Sequence, residues 1–314
     1  MIGGATLATA IAVGAVAFPL GGGATELHSH AQTESDASEL EDLTLGELRQ
    51  ALADLGLRLS IESDDGPDDN DHFNDDEFNE DDFDQSGSSA ETFPVDGDKI
   101  DLSQAESDEI RAEAQQVWDR FVDLIPANQR QMVSGFELDN SDGAGGYVYP
   151  DESDPTKWIL GMAPSGLSQT DVDYVLIHEF AHLLTLQAKE VPPADGDTDP
   201  ESCPTYFTGE GCALSGSLMS EFVQQFWPVE QQELIEQLTY DEDWDGLDRF
   251  YDEHRDDFVT DYATTNPAED LAETFAHFVL EDRPDGDTIA DQKVQMLWDD
   301  PTLVDLRDEI RSKL

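Results

Sequence analysis

The segment His178-Glu179-Phe180-Ala181-His182 places two imidazoles one helical turn apart with a carboxylate beside the first. This H-E-x-x-H pattern is typical of zinc hydrolases. On a helix, a separation of four residues is a rise of about 6 Å and a rotation of about 40°, so both rings can reach one ion. Glu179 lies about 100° around the helix from His178, where it can act on water without being a ligand. The alternative is a solvated helix face that happens to carry these residues.

The neighbouring residues predict that this helix is buried. Ser168 can cap its start together with Asp171, three residues later. Apolar residues then occupy most of the helix circumference: Val175, Leu176, Ile177, Phe180, Leu183, Leu184 and Leu186. Two histidines and a glutamate are costly to bury without partners, and a bound cation satisfies all three together. The sequence therefore predicts a metal site on a buried helix.

A catalytic zinc site also needs a third protein ligand and an open position. One family takes this ligand from a histidine six residues after the second one, but the sequence has Ala188 there, which excludes that family. Further along, Asn266 followed by Pro267 predicts the start of a helix. Glu269 and Glu273 then share one helix face, where like charges repel unless a cation or a proton lies between them.

With these residues the chain resembles the gluzincin metallopeptidases, in which a glutamate on a second helix is the third zinc ligand. The pattern is similar to the catalytic domain of anthrax-toxin lethal factor and related secreted zinc peptidases. The resemblance implies a zincin-like α+β fold and one Zn²⁺ bound by His178, His182 and Glu269. It further implies Glu273 as a supporting residue or reserve ligand, and Tyr262 as a residue that faces the reacting carbonyl. It covers only the surroundings of the two motifs.

The chemistry expected of such a site is hydrolysis of a peptide bond in a protein or peptide substrate. Zinc lowers the pKa of its bound water to about 7, and Glu179 is the expected general base. Tyr262 is expected to donate a hydrogen bond to the developing oxyanion. The alternative is a non-catalytic exported metal- or cation-binding protein that retains the zincin fold. Glu179 favours the enzyme, because a binding module does not need a general base beside the metal.

Short strands and helices are predicted around the two motifs. Residues 145–149 and 157–162 are predicted to pair as a hairpin, whose free edge could either bind an extended substrate or only pack. Helical patterns cover residues 102–124, 215–238, 267–281 and 302–312. Together with the metal helix they predict one α+β catalytic domain over residues 99–314.

The first part of the chain bears on location. Residues 1–24 contain an apolar run that suits a signal segment better than a membrane span, although no basic residue precedes it; membrane anchoring is the alternative. Residues 25–98 are predicted to be an acidic, mostly disordered linker with a short helix, serving as a spacer, a pro-segment or a divalent-ion sponge. Cys203 and Cys212 are expected to form a disulfide, with free thiols as the alternative. These features predict a secreted or cell-surface protein.

The chain has a formal net charge of −58, and residues 109–314 alone carry 46 acidic and 12 basic residues. Such a domain repels itself in dilute buffer, which indicates adaptation to high salt, with a generally acidic secreted protein as the alternative. Nucleic acid is excluded as a partner on the same grounds. Asp241 to Gly246, with Asp252, resemble the opening of a calcium loop, so a structural Ca²⁺ is weighed against coincidence in an Asp-rich chain.

Overall fold

The computed structural model describes residues 90–314 apart from 141–143, 195–197, 199 and 242. These residues form a mixed α+β fold with one sheet and several helices. The predicted signal or anchor segment over residues 1–24 and the predicted helix of the linker lie outside the described residues. Of the helices that the structure describes, none combines the length and apolar character needed to cross a bilayer.

The described strands are β1 Ala90–Asp96, β2 Lys99–Ile100, β3 Val133–Asp139, β4 Gly145–Asp151 and β5 Asp154–Ala163. They form one five-stranded sheet in the order β2-β1-β3-β5-β4. β3 and β5 are parallel, and the other neighbouring pairs are antiparallel. The predicted hairpin is confirmed, since Val148 of β4 pairs with Leu160 of β5. Because β5 lies inside the sheet, the edge strand on this side, among the described residues, is β4.

The described fold begins before the predicted catalytic domain. β1 starts at Ala90, inside the range 25–98 that the sequence assigned to a linker. Its Phe93 pairs with Phe136 of β3 and is only 2% exposed. The partner strand lies some forty residues away in the sequence, so no local pattern indicated that this segment is folded.

The helices are α1 Asp108–Leu124, α2 Gln169–Leu186, α3 Leu218–Phe226, α4 Val229–Tyr240, α5 Trp244–Glu253, α6 Pro267–Leu280, α7 Ile289–Trp298 and α8 Pro301–Arg311. α1 starts six residues later than predicted, at a cap provided by Ser107. The helix predicted over residues 215–238 is divided into α3 and α4 at Trp227 and Pro228, because proline cannot continue a helix. α5 and α7 were not predicted.

The calcium-loop interpretation of residues 241–252 is wrong. Trp244 to Glu253 form α5, and the Asp243 carboxylate caps this helix by accepting a hydrogen bond from the backbone N–H of Gly246 at 2.9 Å. A calcium loop would have to leave this segment open to wrap an ion. Aspartate is preferred both at helix N-caps and in calcium loops, so the two patterns look alike in sequence.

The hydrophobic core lies between the sheet and the helices, with α2 at its centre. α2 packs against both β4 and α6. Phe180 of α2 meets Phe275 of α6 edge to face, with ring centroids 6.0 Å apart, and both side chains are fully buried. Aromatic contact of this kind fixes the relative position of the two helices that carry the motif residues.

Candidate metal centre

The predicted capping box of α2 is confirmed. Ser168 Oγ accepts a hydrogen bond from the N–H of Asp171 at 3.3 Å, and the Asp171 carboxylate accepts one from the N–H of Ser168 at 2.9 Å. The helix that follows is buried through its middle turns. His178 and Glu179 are 0% exposed and His182 is 1% exposed. Polar groups so far from solvent require partners inside the protein.

α6 begins as predicted and brings the second set of carboxylates to α2. The side chain of Asn266 accepts hydrogen bonds from the N–H groups of Ala268 and Glu269, and Pro267 occupies the first turn. Glu269 is 0% exposed and Glu273 2% exposed, and both reach the histidines of α2.

Three potential ligand atoms converge between α2 and α6. His178 Nε2 lies 3.1 Å from His182 Nε2 and 3.1 Å from Glu269 Oε2, and His182 Nε2 lies 3.2 Å from Glu269 Oε2. Among the described residues, this group is the cluster of metal-ligating side chains that could hold an ion. The buried group of His178, His182 and Glu269 could therefore bind a metal ion.

The spacing of these atoms fits a small tetrahedral cation. Ligand atoms at about 2.0–2.1 Å from a tetrahedral zinc ion are about 3.3–3.4 Å from one another, close to the separations observed here. The carboxylate of Glu273 lies 2.7 Å from Nδ1 of His178, which assigns the proton of this ring to Nδ1 and leaves a lone pair on Nε2. Lone pairs of two imidazoles and a carboxylate repel one another unless a cation lies between them.

A proton can take the place of a metal in this cluster. Burial acts to lower the pKa of His178, but the bonds with Glu269 and Glu273 outweigh burial and raise this pKa to about 10. A protonated His178 donates to one oxygen of Glu273 and to one oxygen of Glu269, whose other oxygen, Oε1, has no hydrogen-bond partner among the described residues. This protonation leaves Nδ1 of His182 without a hydrogen-bond partner among the described residues, as it does both oxygens of Glu179.

Glu273 contacts His178 at Nδ1, the ring nitrogen that does not face His182 and Glu269. One carboxylate oxygen accepts from His178 Nδ1 at 2.7 Å. The other accepts from the hydroxyls of Tyr174 at 2.8 Å and Thr260 at 2.6 Å. Three donors fix the orientation of the carboxylate, and the carboxylate fixes that of the imidazole.

Glu179 is a buried carboxyl group beside this cluster. Neither of its oxygens has a hydrogen-bond partner in the part of the chain that the structure describes. Burial raises the pKa of Glu179 well above its usual value. β4 passes so close that a Cβ added to Gly146 would lie 2.7 Å from Cγ of Glu179. An unpaired buried carboxyl is destabilising, and such groups are common at functional sites.

Tyr262 faces the same cluster from the turn Tyr262–Thr264 that precedes α6. Its ring centroid is 5.9 Å from that of His178. Burial and the carboxylates of Glu269 and Glu179 raise the pKa of Tyr262 above its usual value. The phenol therefore keeps its proton at neutral pH and is available as a donor.

A buried ion pair anchors α6 on its far side. Asp270, next to Glu269, lies 2.6 Å from Nζ of Lys293 and accepts a hydrogen bond from Trp227 Nε1 at 2.7 Å. Lys293 also donates to the backbone oxygen of Asp257 at 2.6 Å and is only 1% exposed. Burial raises the pKa of Asp270 to about 6, against the effect of Lys293.

The structure places the predicted site residues in one cluster and adds others that the sequence did not indicate. Tyr174 could have been found, because it lies four residues before His178 on the same helix face. No local signal marks Thr260 or Lys293, whose contacts with α6 come from other segments.

The predicted disulfide is confirmed between Cys203 and Cys212. It closes a small hairpin in the segment between α2 and α3, where Phe207 and Cys212 form a bridge. The backbone oxygen of Glu210 accepts a hydrogen bond from Ala194 N at 2.7 Å, which connects the hairpin to the segment that follows α2.

Neither the comparison with protein-family models nor the searches of curated proteins and of solved structures finds a match for this chain. The geometry of the cluster is therefore the basis for a functional assignment.

Proposed function

We propose that this protein is a zinc-dependent endopeptidase of the gluzincin type, secreted or held at the cell surface. The observation that carries the proposal is the convergence of His178, His182 and Glu269 beside the unpaired, buried carboxyl of Glu179. A site that only stores a metal has no need for this fourth group.

In the proposed reaction, the protein supplies a base, an oriented donor and a binding edge. When bound, zinc acts as a Lewis acid that would lower the pKa of a bound water to about 7. Glu179 takes a proton from the attacking water and passes it to the leaving amine. Tyr262 donates a hydrogen bond to the carbonyl oxygen as negative charge develops on it. Glu273 keeps the proton of His178 on Nδ1, so that Nε2 remains a ligand.

The free edge of β4 is the proposed substrate-binding strand. Gly146 of β4 lies directly against Glu179, so a peptide paired with this edge would pass the general base. An extended peptide can add to a sheet edge through main-chain hydrogen bonds, which gives affinity with little dependence on sequence.

The test is hydrolysis of fluorescently labelled casein by zinc-loaded protein, in low and in molar NaCl. Removal of the metal with a chelator should abolish turnover, and added zinc should restore it. Glu179→Gln should lower kcat by about 10²- to 10⁴-fold while zinc stays bound, because the base is lost and the ligands are kept. His178→Ala should lose zinc together with activity.

Glu221→Gln is the matched control, because it removes an exposed carboxylate from the surface of α3. Zinc binding without casein hydrolysis in any salt would instead support the non-catalytic metal-binding protein. So would hydrolysis that Glu179→Gln leaves unchanged.

A further inference from the structure

The hydroxyl of Thr260 joins two parts of the site. It donates a hydrogen bond to Oε2 of Glu273 at 2.6 Å and accepts one from the backbone N–H of Ala263 at 3.1 Å. A threonine hydroxyl can donate and accept at the same time, so both bonds form together. Thr260 is half-buried and lies just before the turn that carries Tyr262.

The two hydrogen bonds of Thr260 lead to different parts of the site. Glu273 holds the imidazole of His178, whereas Ala263 is the residue after Tyr262 in its turn. Apart from the interaction of the Tyr262 side chain with Glu269, two further bonds of the turn join residues within the segment 261–264. Thr264 Oγ1 donates to the backbone oxygen of Asp261 at 2.7 Å, and the Asp261 carboxylate accepts from the N–H of Tyr262 at 2.9 Å. Such bonds fix the shape of the turn, and Thr260 fixes its place relative to Glu273.

We propose that Thr260 is a positioning residue for Tyr262. It holds Tyr262 at a fixed position relative to the hydrogen-bonded pair of Glu273 and His178. This inference rests on the proposed function, in which Tyr262 donates to the oxyanion. A fixed donor stabilises charge in the transition state without reorganising, so a small displacement of Tyr262 lowers kcat more than substrate binding.

The variant that removes the connection is Thr260→Val, which has nearly the same shape but makes neither bond. It should lower kcat on labelled casein by about tenfold, with KM and zinc affinity within about threefold of the wild type. Thr260→Ser keeps the hydroxyl and should restore kcat. Zinc affinity is measured by competition with a chromophoric chelator.

Thr264→Val is the matched control. It makes the same chemical change in the same turn but removes a bond that does not reach Glu273. It should change kcat by less than about threefold. Equal losses for Thr264→Val and Thr260→Val, or no recovery with Thr260→Ser, would show that Thr260 only stabilises the turn.

A double-mutant cycle tests whether Thr260 acts through Tyr262. In the Tyr262→Phe background the donor is already absent, so Thr260→Val should change kcat by less than about twofold. A full tenfold loss in that background would overturn the proposal and would point to an effect through His178.

Crystal structures of the zinc-loaded variants separate this inference from the proposed function. In Thr260→Val the ring of Tyr262 should move from its position 5.9 Å from the His178 ring, whereas Thr260→Ser and Thr264→Val should keep it. This comparison holds even if the wild type does not hydrolyse casein, which would contradict only the proposed function. An unmoved Tyr262 in Thr260→Val would contradict the inference itself.

Discussion

His178 uses its two ring nitrogens for different tasks. Nε2 points to His182 and Glu269, and Nδ1 lies 2.7 Å from the carboxylate of Glu273. A carboxylate that accepts a hydrogen bond from a metal-binding imidazole selects the tautomer of the ring and makes its other nitrogen more basic. Glu269 and Glu273, one helical turn apart, therefore have different roles although they are the same residue type. Only the packing of α6 against α2 distinguishes them.

Glu273→Gln should weaken zinc binding by about 10- to 100-fold, since the amide no longer holds the Nδ1 proton of His178 as firmly. Glu269→Gln should weaken it further, because a charged ligand is lost. The zinc affinities of both variants are measured by competition with a chromophoric chelator at constant pH, with Glu221→Gln as the control. A larger loss for Glu273→Gln than for Glu269→Gln would mean that the two roles are reversed.

Glu210, in the disulfide hairpin, should make stability depend on pH. Burial raises its pKa to about 6 in the folded protein, above the ordinary value of 4.5. The folded state therefore holds this proton more tightly than the unfolded state, and stability is lost as pH rises from about 4.5 to about 6.

Glu210→Gln should consequently raise the melting temperature at pH 7 but not at pH 4. Thermal melts of both proteins at the two pH values measure the difference, in which the titration of the other acidic residues cancels. An equal effect of the substitution at both pH values would show that the pKa of Glu210 is not raised.

At the scale of elements, the sequence predicted the parts with strong local signals. The capping residues Ser168 and Asn266 marked the starts of α2 and α6 within a residue. The hairpin of β4 and β5 followed from two strand-forming segments on either side of a short turn. The close spacing of Cys203 and Cys212 indicated their disulfide. These features depend on neighbours in the sequence, so they could be inferred without the fold.

The missed elements depend on distant partners or on ambiguous residues. β1 follows an acidic low-complexity segment and gains its order from β3. α5 is capped by Asp243, and the sequence around this residue also resembles the opening of a calcium loop. At the site, the hydroxyl of Thr260 and the ammonium of Lys293 reach α6 from other segments, and no spacing rule indicates such contacts.

The approach of β4 to α2 yields a prediction about Gly146. An added Cβ would lie 2.7 Å from Cγ of Glu179 and 2.6 Å from Cγ1 of Val175, so the side chain of Glu179, the proposed general base, must shift. Gly146→Ala should therefore lower kcat on casein by about 10²-fold, as expected for a small misplacement of a catalytic group, while zinc affinity is kept.

Gly135→Ala is the matched control for this substitution. It places a Cβ 2.6 Å from Cδ1 of Ile159 on the same sheet, away from Glu179. Kinetics and chelator competition on both variants separate general strain in the sheet from displacement of the base. Equal losses of kcat in the two variants would contradict a specific role for Gly146.

At the scale of the whole molecule, basic residues are scarce, and several of them form hydrogen bonds or ion pairs with α6. The chain has 15 basic and 73 acidic residues. Arg307 donates to the backbone oxygens of Phe278 and Glu281, and Arg311 to that of Leu280, at the C-terminal end of α6. Cations at this end complement the helix dipole. Lys293 pairs with Asp270 near the other end. The acidic side chains are left with few partners of opposite charge.

This excess of negative charge should make stability depend on salt. The screening length falls from about 10 Å at 0.1 M to about 3 Å at 1 M, so repulsion between surface carboxylates is largely relieved by molar salt. The melting temperature of the zinc-saturated protein should therefore rise with NaCl, mostly below about 1 M, by about 2–4 °C for each kcal/mol of repulsion relieved.

Two comparisons distinguish screening from a general effect of solutes. Sucrose, which carries no charge, should not reproduce the steep rise below about 1 M. At pH 4, where many of the 73 acidic residues are protonated, the melting temperature should rise less with the same additions of NaCl. A cooperative melt whose midpoint stays constant down to about 10 mM NaCl would instead support an acidic secreted protein without adaptation to high salt, because the screening length there is about 30 Å.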